Sequence, residues 1–196
     1  MQFKSYNTLS SIDGRGILNQ VESRCTREER NTAYEPDPVT YCHELTHQLN
    51  AHLRNDAGSG MNAFFVGQDL GRYILLPEPS ITLADVAESV VHFRNEAYEL
   101  YLVQQQQYWN EQPLNVLDEF SAYVNGSQLA LEMKLDNHGS HDRCHWFCYY
   151  ADCLVKTVWE KDSSYLEYPL LAEFVEWQKN RVVSLLGIAT WSTFNG

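Results

Sequence analysis

The chain is short of positive charge. Fourteen lysines and arginines stand against 26 aspartates and glutamates, a formal net charge of −12. Without a basic face to neutralise phosphates, nucleic acid and anionic membrane are poor partners. Long hydrophobic runs are also missing: no stretch approaches the ~18 apolar residues of a membrane span. The opening residues, MQFKSYNTLSSIDGRG, lack the apolar core that a signal peptide needs. Cysteine is sparse. Cys25, Cys42, Cys144, Cys148 and Cys153 are odd in number and contain no C-x-x-C pair. That argues against a disulfide framework and leaves at most an isolated bridge. No internal repeat occurs, and the one low-complexity run is QQQQ at Gln104 to Gln107. Compartment and oligomeric state are left open by these features.

What is present is globular. The apolar fraction is 44% and the charged fraction 20%, with twelve tyrosines and five tryptophans. A chain of 196 residues forms one domain and buries roughly 70% of its unfolded surface, so it needs no metal merely to fold. Residues 1–36 are polar and aperiodic and read as an irregular N-terminal arm, with DGRG as a turn signal. Residues 37–196 read as the folded domain. Asp37 followed by Pro38 is a helix start, and Val39, Cys42, Leu45, Leu49 and Leu53 then recur at helical spacing until RNDAGSG stops the helix near Arg54. NAFFVGQDLGRYILLPEP reads as a β-hairpin ended by Pro77, and Thr82 with Asp85 as a capping box opening a further helix. Helical pattern continues, with a break, to about Trp109. Three more helices follow in QPLNVLDEFSAYVNGSQLALEM, HDRCHWFCYYADCLVKTVWEK and PLLAEFVEWQKNRVVSLLG. The expected class is α+β: mostly helical, a single domain, with a small β-hairpin or sheet.

Within the first long helix stands HELTH, an H-E-x-x-H string. Residues at i and i+4 share a helical face, so His43 and His47 can hold one ion between them. Glu44 lies about 100° round from His43, where a general base for an attacking water belongs. Paired histidines on a solvated helix face would produce the same five letters. Against that, the histidines lie off the apolar stripe, and Asp37-Pro38 defines a real helix beneath them. A third ligand must come from elsewhere. In H-E-x-x-H-x-x-G-x-x-H it would follow directly, but Asn50 and Leu53 occupy those positions and His52 falls off the His43/His47 face.

Glu119 in LDEFSAYVNG is the preferred third ligand. Glu119, Tyr123 and Gly126 share one face, Gly126 permits close approach to the His43 helix, and Tyr123 sits one turn from the ligand. Its phenol is suited to bond a ligand or stabilise an oxyanion. Glu96 and Glu99 in RNEAYELY compete for the role, and Asp118 neighbours the favoured residue. The stretch NHGSHDRCHWFCYYADC is dense in possible ligands, but it matches no structural zinc spacing and reads as a packed helix. His138 and His141 are placed on a loop leading into it, as candidates to line the cleft.

H-E-x-x-H followed well downstream by E-F-x-A resembles the gluzincin metallopeptidases, including the anthrax lethal factor-like group. The matching residues are His43, Glu44 and His47, then Glu119, Phe120 and Ala122, so the resemblance covers two motif helices. It implies a zincin-like active-site helix and one Zn2+ per chain held by His43, His47 and Glu119. It further implies Glu44 as general base and a peptide or protein as substrate. Tyr123 is the expected stabiliser of the intermediate, and the hairpin edge a place for substrate to add as a strand. A non-catalytic zincin-like binding or scaffold domain is the alternative, which the intact Glu44 disfavours. Hydrolysis of a non-peptide amide is a third reading with the same chemistry.

Overall fold

The first long helix begins where the chain supplies its own cap. Asp37 Oδ2 accepts the Thr40 amide at 2.8 Å, and Pro38 occupies the first helical position, where no amide is needed. In the computed structural model, which describes residues 4–5, 16–58, 60–67, 72–135 and 138–187, this helix is the third of eight α-helices. In chain order the elements are β1 (Lys4–Ser5), α1 (Ile17–Glu22), α2 (Arg27–Thr32), α3 (Pro38–Ala57), β2 (Met61–Gly67), β3 (Arg72–Pro77) and α4 (Leu83–Ser89). A π-helical segment (Tyr98–Gln104), α5 (Gln106–Trp109), α6 (Asn115–Glu132), α7 (His138–Lys161), a 3-10 turn (Ser163–Glu167) and α8 (Leu170–Leu186) complete them. The chain is thus a mostly helical α+β domain with a small antiparallel sheet.

The sheet has strand order β1-β3-β2, and β2 and β3 form the expected hairpin, with Phe64 opposite Ile74 and Phe65 opposite Tyr73. Its loop lies outside the described residues. Alternate residues of a strand point to opposite faces, and here both faces are covered. Phe64, Ile74 and Leu76 join the larger core with α4, α6, α7 and α8. Ala63, Phe65 and Tyr73 join a second core with α1 and the apolar stripe of α3: Cys42, Leu45, Leu49 and Leu53.

Three expectations are corrected. The described part of residues 1–36 is not an irregular arm: Ile17 and Val21 of α1 are fully buried against α3, and Thr26 and Glu29 form a complete capping box on α2. Helices of six residues are unstable alone, and α1 is held by docking, which local pattern does not reveal. α3 runs a turn past Arg54 to Ala57, before Gly58 turns the chain with φ 94°. The third concerns His138 and His141. Both stand within α7, since Gly139 and Ser140, read as loop residues, are tolerated in a helix's first turn. Other signals agree. The Thr82–Asp85 box caps α4, and Gly187 ends α8 in the left-handed conformation, φ 64°.

A buried polar network joins α3, α6 and α8. Arg181 donates to Asn125 Oδ1 at 2.9 Å, to Gln128 Oε1 at 2.8 Å and to Gln178 Oε1 at 3.1 Å. Asn125 in turn donates to Thr46, and Gln178 to Ser121. Burial lowers the Arg181 pKa to about 10. Replacing Arg181 by alanine strands three amide oxygens in the interior. The expected cost is about 3 kcal/mol, read as a lower midpoint in urea unfolding.

Candidate metal centre

α3 and α6 lie antiparallel and in contact. Gly126 packs directly on α3: a Cβ there would meet Val39 Cγ1 and the Val39 carbonyl oxygen at 3.4 Å and His43 Cβ at 3.9 Å. One α6 face, Glu119, Tyr123 and Gly126, is thereby laid along His47, His43 and Val39. The Tyr123 ring packs edge-on against His43 with centroids 4.4 Å apart.

This contact brings together His43, His47 and Glu119, the one group of metal-ligating side chains found among the described residues. His43 Nε2 and His47 Nε2 are 3.1 Å apart; Glu119 Oε2 is 3.5 Å from the former, and Oε1 is 3.6 Å from the latter. A tetrahedral zinc with ligands ~2.0–2.1 Å away separates its donor atoms by about 3.3–3.4 Å. One donor atom from each of the three residues lies within 4.8 Å of the others, near enough to gather round a single ion, and two imidazoles with a carboxylate are a donor set that zinc accepts. Glu119 is only 7% exposed, and its Oε2 is buried without a hydrogen bond, a cost that an ion would relieve.

Supporting residues orient these ligands. His47 Nδ1 donates to Asp118 Oδ2 at 2.9 Å, so the other ring nitrogen, Nε2, faces His43 and Glu119. Asp118 Oδ1 accepts from Asn50 Nδ2 at 2.6 Å, and Asn50 Oδ1 accepts the Phe65 amide of β2 at 2.8 Å. Beyond Tyr123, the π-helical segment delivers Tyr101, whose hydroxyl is 2.5 Å from that of Tyr123. Two hydroxyls hold two protons and spend one on their mutual bond, so the pair keeps one O–H to donate. Burial raises both phenols' pKa values, and the Glu119 charge adds to the effect.

Glu44 is half-buried beside His43, and no described residue bonds its carboxylate. Glu96 and Glu99, the competing third ligands, lie on the surface outside the metal-ligating group, with Glu96 paired to Arg143. The five cysteines are free and buried, and Cys144 and Cys148 pack into the main core. On the hairpin, the Phe65 amide on the outer edge of β2 is already taken by Asn50, so that edge is closed to an added strand at this residue.

No family model, curated protein or solved structure matches this chain. The case for the site therefore stands on its residues. Sequence reasoning passed over Asn50, Tyr101 and Arg143, and took Asp118 only as a neighbour of Glu119. Asn50 stands three residues after His47 on nearly the same face, a signal that could have found it. Tyr101 and Arg143 come from elements whose placement no local pattern announces.

Burial opposes charge on both His47 and Glu119, but their surroundings outweigh it. Asp118 and Glu119 hold the His47 pKa well above 6.5, and the two imidazoles hold Glu119 at about 2. In the metal-free protein, the raised His47 contributes stability fully below pH 6.5 and loses it as pH rises through its folded value. The lowered Glu119 contributes fully above pH 4.5 and loses it as pH falls toward about 2. The pair's contribution is thus expected to peak between pH 4.5 and 6.5 and to decline on both sides. Urea titrations across pH should show that profile flattened in Glu119→Gln. At Gly126, alanine is expected to stay within about 1 kcal/mol of wild type, since the added methyl just fits and helix propensity improves. Leucine there should cost about 1–3 kcal/mol by overpacking and force the two helices apart. Thermal unfolding of both variants checks the pair of outcomes.

Proposed function

We propose that the chain is a zinc-dependent metallopeptidase of gluzincin type, with one zinc per chain held by His43, His47 and Glu119. The observation that carries this reading is the cluster itself: His43 Nε2 and His47 Nε2 lie 3.1 Å apart, and a buried carboxylate presents one oxygen to each, at 3.5 and 3.6 Å. When bound, zinc supplies Lewis acidity toward a carbonyl oxygen and lowers the pKa of a coordinated water to ≈ 7.

The chain's own residues supply the remainder. Glu44 takes a proton from the attacking water and delivers it to the leaving nitrogen. Its carboxylate has no structural partner among the described residues, as a working base requires. That also speaks against a purely structural role for the centre. Asp118 keeps His47 in the tautomer with a free lone pair at Nε2, and Asn50 holds Asp118 in turn. The Tyr123–Tyr101 pair offers its remaining O–H to the oxyanion that develops during attack. Tyr101 joins the sequence expectation for Tyr123 as an equal candidate for that donation.

Elemental analysis of protein purified without a metal-affinity tag, beside Glu119→Ala and Glu44→Gln, tests the reading. Wild type is expected to carry about one zinc per chain, Glu119→Ala to lose it and Glu44→Gln to keep it. Against a peptide library, Glu44→Gln should reduce turnover by about 10²–10⁴-fold with metal content unchanged. Wild type that takes up no zinc at neutral pH would remove the reading.

A further inference from the structure

Arg143 extends from α7 toward the centre. Its guanidinium carbon sits 5.5 Å from the centroid of the Tyr123 ring, and that ring lies 4.4 Å from His43, so one aromatic ring separates the cation from a ligand. The side chain remains 36% exposed, and its one ion-pair partner among the described residues is Glu96, at a loose 3.8 Å and itself 76% exposed. Arg143 is also the cation that acts on both phenols, opposing the influence of Glu119 on each.

The centre itself is rich in negative charge. Glu44, Asp118 and Glu119 together bring three carboxylates to the site, more than one divalent ion offsets, and the chain as a whole carries −12. Beside these carboxylates, Arg143 offers an acidic group on a substrate an attractive partner. The planar guanidinium fork suits a carboxylate, which it can bind through two parallel hydrogen bonds. Glu96 shows that a carboxylate is drawn to this spot, and its exposure leaves it free to yield to a competitor.

We propose that Arg143 is a specificity-determining residue that binds a carboxylate of the substrate, either an acidic side chain next to the scissile bond or a free chain terminus. The assignment rests on the metallopeptidase reading above. In it, Glu96 is an internal stand-in that substrate displaces, and removing Arg143 leaves an acidic substrate without its guanidinium partner.

The test uses the zinc-loaded full chain and short peptide hydroxamates, which bind through the metal without being cleaved. Matched compounds carry glutamate, glutamine or lysine beside the hydroxamate, and a second set compares a free with an amidated C-terminus. Wild type is expected to bind the glutamate or the free-terminus compound roughly tenfold more tightly than its neutral match. Whichever set shows the effect identifies the source of the carboxylate. Arg143→Ala should abolish or reverse the preference while zinc content and binding of the glutamine compound stay unchanged. Arg143→Lys should restore part of it, and Glu96→Gln should strengthen it. Equal binding of charged and neutral compounds, or a preference that survives in Arg143→Ala, overturns the proposal and leaves the zinc reading intact. A wild-type protein that holds zinc but binds none of the hydroxamates, or holds no zinc, overturns both.

Discussion

Everything at the centre depends on how closely α6 approaches α3. The two helices meet at Gly126, where only a hydrogen faces Val39 and the Cβ of His43. A bulkier residue would hold the axes apart and carry the Glu119 carboxylate out of reach of the histidines. The buried network through Asn125, Arg181 and Gln178 fixes α6 from its other side, against α8. The same helix is therefore clamped by sterics along one face and by hydrogen bonds along another, which sets its rotation as well as its distance.

That clamp explains why the hairpin belongs to the site even though it supplies no ligand. The Phe65 amide fixes Asn50, Asn50 fixes Asp118, and Asp118 fixes the ring of His47. Each link is a single hydrogen bond between different elements, and the two that reach Asp118 span 68 and 71 residues of chain. A shift of β2 would reach His47 through this relay, whereas α4 and α5 make no such connection among the described residues. The phenol pair works from the opposite side, where the π-helical segment turns Tyr101 toward Tyr123. Single π-helical stretches of this kind are often found where a side chain must be aimed rather than merely buried.

Much of this was legible from local pattern. H-E-x-x-H at helical spacing, the Asp37-Pro38 start, the Thr82–Asp85 box and the face shared by Glu119, Tyr123 and Gly126 are all one-dimensional signals. Each reflects interactions within a few residues. The arm over residues 1–36 was misread because α1 is too short to announce itself and is stabilised by burial of Ile17 and Val21 against α3. Asn50 was hidden for another reason: a polar residue on an apolar-backed helix looks like surface until its partners at positions 65 and 118 are known. Arg143 looked like one more charge on a helix.

The sequence by itself determined that His43 and His47 share one helical face with donor atoms, since donor chemistry and helical periodicity are local properties. It also determined the helix boundaries that caps and glycines mark. Only the tertiary structure decided that Glu119, rather than Glu96 or Glu99, faces the histidines. It alone decided that Asp118 and Asn50 orient His47, and that Tyr101 and Arg143 stand beside the centre. The reason is physical: those placements follow from which apolar faces bury against one another across the whole chain, and no short stretch contains that information.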